Sequence, residues 1–327
     1  MRFDEFSFLA GRRVLITGAT GLIGTCLVDL LRDWNARGAG IGILAAGRSE
    51  ERVRARFGND VRWVAYDARE PLRFDFVADY VIHAATSAHP LAYSQDPVGT
   101  MQACVTGTMN LLEYVRALPG TRFIFLSSGE VYGENPDLPE GFSETDHGWI
   151  DPMNPRACYP EGKRAAETLC ASYAAQYGVD ARVARLCHVY GPGFTAANSR
   201  ADAQFIRKAL AGEDIVMKST GAQVRSWCYA ADAARAILTL LDRGEKGQAY
   251  NVANRNAVAS IREYAETLAR IAGVKVVFDL PPEAEKAGYS KITRAVLNPA
   301  KLEALDWRAE YDLERGLRET FEKAQGR

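Results

Sequence analysis

Short apolar runs alternate with longer stretches of helical rhythm through the first half of the chain. Residues 12–17 (RRVLIT) form one such run and end at GATG. Leu22, Ile23, Leu27, Leu30 and Leu31 then recur at helical spacing as far as Trp34. Further apolar runs at 41–46, 61–66, 80–85, 122–128 and 181–191 predict five more strands, and long helices are predicted over about 98–118 and 156–177. Runs that stay apolar instead of alternating suit strands covered on both faces. Strands alternating with helices predict a mostly parallel, doubly wound α/β sheet with right-handed crossovers. Beyond Gly191 the alternation becomes irregular. Helices are expected at 203–211, 230–243, 260–272 and 312–325, with short strands near 215 and 250. This pattern divides the chain into 1–191, the sheet domain, and 192–327, mainly a smaller mixed lobe over the sheet's C-terminal edge.

Composition narrows the class. The chain has 327 residues and a formal net charge of −1, so electrostatics gives no case for a nucleic-acid or membrane partner. No segment approaches the roughly 20 apolar residues that cross a bilayer, and the acid-bearing N-terminal stretch does not read as a signal peptide. The six cysteines contain no C-x-x-C pair and lack the close spacing of a zinc site. A cytoplasmic protein with free thiols and no metal is expected.

The chemistry begins at Gly18, Gly21 and Gly24, which follow a predicted strand and open a predicted helix. A tight turn at a helix N-terminus lets backbone amides approach a dinucleotide pyrophosphate, so a Rossmann domain holding NAD is expected. Thr20, Leu22 and Ile23 in the same turn are candidate cofactor contacts. The second strand ends Ala45-Ala46-Gly47-Arg48, where an acid for the ribose hydroxyls usually stands. Arg48 can meet a 2′-phosphate, which would admit NADP, or can be a solvated surface arginine. Asp67 can hydrogen-bond adenine or cap the following turn. Ala84 and Ala85, small residues ending the fourth strand, let the backbone pass close to the cofactor.

Tyr159 and Lys163 stand four apart and share one face of a predicted helix. A phenol with a pKa near ~10 is a poor base at neutral pH, and a nearby ammonium favours its ionised form. Ser128 and Glu130 end the fifth strand, at the edge where doubly wound sheets bind ligands. Ser128 can polarise a substrate hydroxyl or cap a turn. Glu130 is a second ionisable group there or a solvated loop acid. His188 can touch the substrate or fill an ordinary loop role.

The ordered motifs TGATGLIG (17–24), HAAT (83–86), SSGEVYG (127–133), YPEGK (159–163) and YGPG (190–193) resemble the extended short-chain dehydrogenase/reductase superfamily. More narrowly the chain is similar to the NAD-dependent epimerase/dehydratase family, whose members act on nucleotide sugars. The resemblance implies that Tyr159 takes the proton of the sugar C4 hydroxyl, that Ser128 polarises this oxygen, and that Lys163 tunes Tyr159 and binds ribose. Thr86, His188, Arg225 and Arg294 are then candidate substrate contacts. Arg225 matches a family arginine that contacts the diphosphate, although an interlobe salt bridge would also suit it; Arg294 is a weaker candidate for the same pocket. Gly129 occupies the position of the aspartate found in glucose-type 4,6-dehydratases. Ser128-Gly129-Glu130 is similar to the UDP-glucuronate decarboxylases and also to the GDP-mannose type of 4,6-dehydratase, and CYPEGKRAAETLC is closer to the decarboxylases. Decarboxylation of a UDP-uronate is the favoured expectation, with 4-epimerisation or 4,6-dehydration as alternatives and a non-catalytic NAD(P)-binding sensor or scaffold as a remote one. His188, standing where the decarboxylases place an asparagine, is a departure. The helices at 98–118 and 156–177 resemble those that pair in family homodimers.

Overall fold

A computed structural model describes residues 3–70, 74–86, 88–135, 138, 141–195, 198–280 and 292–326. In chain order its first half comprises β1 (Arg13–Thr17), α1 (Leu22–Asn35), β2 (Gly42–Gly47), α2 (Glu50–Phe57), β3 (Arg62–Ala65), β4 (Tyr80–His83), α3 (Pro90–Gln95), α4 (Pro97–Arg116), β5 (Arg122–Ser128) and α5 (Cys158–Tyr177). The second half comprises β6 (Asp180–Leu186), β7 (His188–Tyr190), α6 (Ala201–Leu210), β8 (Ile215–Met217), β9 (Val224–Tyr229) and α7 (Ala230–Arg243). It ends with β10 (Ala249–Val252), β11 (Val258–Ser260), α8 (Ile261–Ala272), β12 (Val276–Phe278), β13 (Arg294–Ala295), α9 (Ala300–Glu303) and α10 (Leu313–Ala324).

Seven strands pair in parallel in the order β10-β6-β5-β4-β1-β2-β3. Their side chains alternate between two cores. Val14, Ile16, Ile124 and Leu126 face a layer containing Leu27 and Leu31 of α1 and Ile237 and Leu241 of α7. Leu15, Phe123 and Phe125 face Leu111 and Leu112 of α4 and Ala166 and Cys170 of α5. Each fully buried side chain of this size contributes roughly 1.5–3 kcal/mol, which is why uninterrupted apolar runs select this two-sided burial.

Two expectations are corrected. The run 181–191 is not one strand: it breaks at Cys187, where β6 stays in the large sheet and β7 crosses to pair with β9 of a smaller sheet. The strand near 250 is β10, which returns to pair with β6 at the edge of the large sheet. With α7 packed against α1, residues beyond 191 therefore complete the first layer. The smaller lobe has its own core, including Phe205, Ile206, Trp227, Tyr264, Leu268 and Leu317. There the Trp227 and Tyr264 rings stack with centroids 4.2 Å apart. The apolar rhythm does not single out β9, whose buried run contains Arg225 and Ser226, or β11 and β13, which are short and largely unburied.

Candidate active site

Sterics shape the glycine turn. Gly18 has φ +67°, and a Cβ there would lie 2.7 Å from the Ala84 carbonyl oxygen; a Cβ at Gly24 would lie 2.3 Å from the Gly18 oxygen. Only glycine lets β1, α1 and the end of β4 approach this closely. Gly21 is the N-cap of α1 and no side chain caps that helix, so the first-turn amides of Leu22 and Ile23 remain for an anion. Thr20, Gly21, Leu22 and Ile23 are all half-buried at this end. Thr17 and His83, neither expected as site residues, brace the turn. The Thr17 hydroxyl accepts the amides of Ala84 and Ala85 at 3.1 and 3.2 Å and lies 2.8 Å from His83 Nδ1. With its acceptor capacity used by two amides, the hydroxyl donates to Nδ1, which leaves the imidazole proton on Nε2. Burial, helped by the charge of Lys163, holds His83 neutral with a pKa of about 3. This braced, Cβ-free cradle at an uncapped helix end fits the pyrophosphate of NAD.

At the far end of the cradle Arg48 is exposed. Asp67 accepts from the Arg69 amide at 3.0 Å and from its guanidinium at 3.0 and 3.2 Å. These bonds to Arg69 hold its carboxyl below the usual range, and Arg48 adds to the effect. Asp67 thus closes its own turn while staying within electrostatic reach of Arg48.

β5 and α5 deliver the proton-transfer group. Ser128 lies at the end of β5, and its Oγ accepts the Glu130 amide at 3.2 Å. Tyr159, in the first turn of α5, is buried, and the neighbouring Ser128 hydroxyl favours its ionised form. Its ring stacks on Tyr93 of α3 with centroids 4.6 Å apart and planes 22° from parallel. Lys163 is buried one turn later. Its Nζ donates to the Leu126 carbonyl at 2.5 Å and sits 4.4 Å from the Phe125 ring centroid and 5.7 Å from that of Tyr159. The expected acidification of the phenol is absent from this arrangement. Burial, and next the charge of Glu130, raise the Tyr159 pKa instead, while the Lys163 ammonium meets the Leu126 carbonyl. Burial likewise pulls Lys163 below the usual lysine range.

Glu130 is paired with Arg156 at 2.9 Å, a residue the sequence reading did not single out. Arg156 stands three positions before Tyr159, and a cation this close to the Tyr-x-x-x-Lys pair was the available signal. A second unforeseen guanidinium, Arg200, is held by Asp202 and by the Val189 carbonyl, and its charge reaches both Tyr159 and His188. His188 follows the break at Cys187 and packs edge-on against Trp227 at 5.5 Å. Burial and the two nearby cations, Arg200 and Arg225, keep it neutral. Arg225 on β9 donates to the Val224 and Ile292 carbonyls, each at 2.9 Å. Burial lowers its pKa to about 10 against the opposing charges of Glu130 and Glu134. Arg225 therefore faces the same acidic neighbourhood as Tyr159, and among the described residues it forms no ion pair. Arg294 lies exposed on β13, which pairs with β9 beside Val224. Thr86, half-buried, turns back so that its amide meets the Ala84 carbonyl at 2.9 Å. Among the described residues no group of three or more His, Cys, Asp or Glu side chains is disposed to hold a metal, and no helix is long and apolar enough to cross a membrane.

The arrangement has close counterparts. The chain is 32% identical over 324 residues to UDP-glucuronic acid decarboxylase 6 of Arabidopsis thaliana, covering 97% of this chain and 90% of the relative. It is 30% identical over 312 residues to UDP-glucuronic acid decarboxylase 1 of Danio rerio, covering 95% and 72%. Among solved structures it superimposes on the Thermus thermophilus UDP-glucose 4-epimerase complex with NAD with a TM-score of 0.79 at 27% identity, covering 96% of this chain and 99% of that one. The NAD dependent epimerase/dehydratase family matches residues 14–253, a span that includes the glycine cradle, Ser128, Glu130, Tyr159 and Lys163. The chain is an enzyme of the NAD dependent epimerase/dehydratase family.

Proposed function

We propose that this enzyme decarboxylates UDP-glucuronate through transient oxidation at C4 of the sugar. The observation that carries the reading is the pairing of Glu130 with Arg156 beside Ser128 and Tyr159. A neutral sugar has no evident use for a cation there. NAD, when bound, would supply the oxidising and then reducing capacity at C4. Gly18, Thr20, Gly21, Leu22, Ile23, Gly24, Ala84 and Ala85 would hold its pyrophosphate end, with Arg48 and Asp67 towards adenosine. Ser128 orients the C4 oxygen, and Tyr159 takes its proton and later restores it. Once C4 is a ketone, the C6 carboxylate belongs to a β-keto acid. The C5–C6 bond then breaks, its electron pair enters the enolate, carbon dioxide departs, and C5 takes one proton from solvent. Lys163 would hold ribose hydroxyls with the ammonium donors left by its bond to the Leu126 carbonyl. Thr86 and His188 would face the nucleotide and sugar from the first part of the chain, and Arg225 and Arg294 from beyond the division near 191.

We further infer a cytoplasmic homodimer. Six free thiols suit a reducing compartment. Helix α4, packed along α5, presents Val98, Met101 and Met109 to solvent, an apolar row suited to a second copy.

Incubation with UDP-glucuronate, UDP-glucose and dTDP-glucose, followed by mass spectrometry, tests the reaction. A product lighter by carbon dioxide is expected from UDP-glucuronate alone, and Tyr159→Phe should lower that turnover by roughly 10²–10⁴-fold. Isomerised UDP-glucose with UDP-glucuronate untouched would favour 4-epimerisation, the reading that the likeness to UDP-glucose 4-epimerase supports. Undiminished turnover by Tyr159→Phe would overturn the mechanism.

A further inference from the structure

Arg156 lies in a single helical turn, Pro155–Ala157, whose Arg156 amide is capped by Asn154 Oδ1 at 3.0 Å. Its guanidinium is located from two sides. Nη2 donates to Glu130 Oε2 at 2.9 Å, and the group lies 4.5 Å from the centroid of the Tyr93 ring. Tyr93 in turn stacks on Tyr159. The cation is therefore tied to both the acid and the phenol of the proposed reaction. Among the described residues Glu130 is its one hydrogen-bonded acceptor, although a guanidinium carries five N–H donors.

The neighbouring cations are less open to a ligand. Arg200 is bound to Asp202 and the Val189 carbonyl, and Arg225 to the Val224 and Ile292 carbonyls. Lys163 is enclosed against Leu126. Arg156 and Glu130 remain partly open, with side chains 42% and 29% exposed. Sugar chemistry limits what an open cation can recognise at this place. The C4 oxygen meets Tyr159 and Ser128, and the nearest point of negative charge on a uronate is the carboxylate on the adjacent carbon, C5. A neutral hexose carries an uncharged hydroxymethyl group there.

We propose that Arg156 recognises the C6 carboxylate of the substrate, with Glu130 as the counter-ion that holds the guanidinium ready. The inference rests on the decarboxylase reading and names the residue that selects a uronate over a neutral hexose. A planar guanidinium presents two parallel donors to a carboxylate while keeping its contact with Glu130. The shared cation also shields the incoming carboxylate from Glu130, which would otherwise repel it. Because Glu130 competes for the same donors, the substrate carboxylate is held loosely enough to leave as carbon dioxide. A fully committed ion pair would stabilise the charged ground state and oppose that loss.

Titration calorimetry on the NAD-loaded enzyme in a Tyr159→Phe background, with UDP-glucuronate and UDP-xylose as probes, separates carboxylate recognition from nucleotide binding. UDP-xylose keeps the nucleotide and ring and lacks C6. Arg156→Gln should weaken UDP-glucuronate about tenfold to a hundredfold and change UDP-xylose by no more than about twofold. Arg156→Lys, which keeps charge but loses the fork, should fall between. Equal weakening of both ligands, or no weakening of UDP-glucuronate in a variant with unchanged thermal stability, overturns the proposal. Failure of the decarboxylase reading would appear separately, as wild-type enzyme that releases no carbon dioxide from UDP-glucuronate.

Discussion

At the scale of the residue, the phenol of Tyr159 is governed by what surrounds it more than by the lysine four positions away. Burial raises its pKa, the charge of Glu130 raises it further, and the Ser128 hydroxyl and Arg200 oppose both. A base with a raised pKa is mostly protonated at neutral pH, so turnover should climb as pH rises through the neutral and alkaline range. Glu130→Gln removes a negative charge and releases Arg156 as an uncompensated cation, and both changes favour the phenolate. The rising limb of kcat/KM should therefore move to lower pH in the residual activity of Glu130→Gln. A limb that stays in place or moves to higher pH would show that Glu130 does not act on the phenol. The helical spacing of Tyr159 and Lys163 was legible in the sequence because it spans one turn. The direction of the ammonium was not, because the acceptor, the Leu126 carbonyl, lies 37 positions away on β5.

At the scale of the element, the turn from β1 into α1 is set by sterics that a short motif carries almost completely. Gly18 combines a left-handed φ with a backbone oxygen 2.7 Å from where a Cβ would stand. Gly18→Ala should lower stability by about 1–3 kcal/mol and weaken NAD binding more than tenfold, read by thermal unfolding with and without NAD. An unchanged stabilisation by NAD would mean that the cradle does not bind the cofactor as argued. Thr17 and His83 were harder to read. Each is an ordinary residue in its own strand, and their joint role appears only where β1 and β4 pair in register, Thr17 beside His83. The run 181–191 was misread for a related reason. Continuous apolar character marks burial, and it does not tell which of two sheets buries each half.

At the scale of the molecule, the large sheet is completed by β10, a strand from the second half of the chain, while β7 crosses into the smaller sheet. The proposed substrate region would therefore lie at a junction that the chain crosses more than once, drawing on β5, α5, β7 and β9 together. The same layering leaves α4 against α5 with Val98, Met101 and Met109 facing outwards. Light scattering should report a dimer for the wild type, and Met109→Glu should shift it towards monomer by placing a charge in an apolar contact. A wild-type monomer, or a variant dimer of undiminished strength, would remove α4 from the interface.

The sequence by itself determined the parallel sheet, the glycine cradle and the presence of Ser128, Tyr159 and Lys163, because each rests on spacing within one strand, turn or helix. Only the tertiary structure decided which charges meet. Arg156 reaches Glu130 across 26 positions, Tyr93 reaches Tyr159 across 66, and β10 returns to β6. Such meetings depend on how the whole chain buries its apolar surface. Periodicity records which faces must be covered, and it carries no record of what covers them.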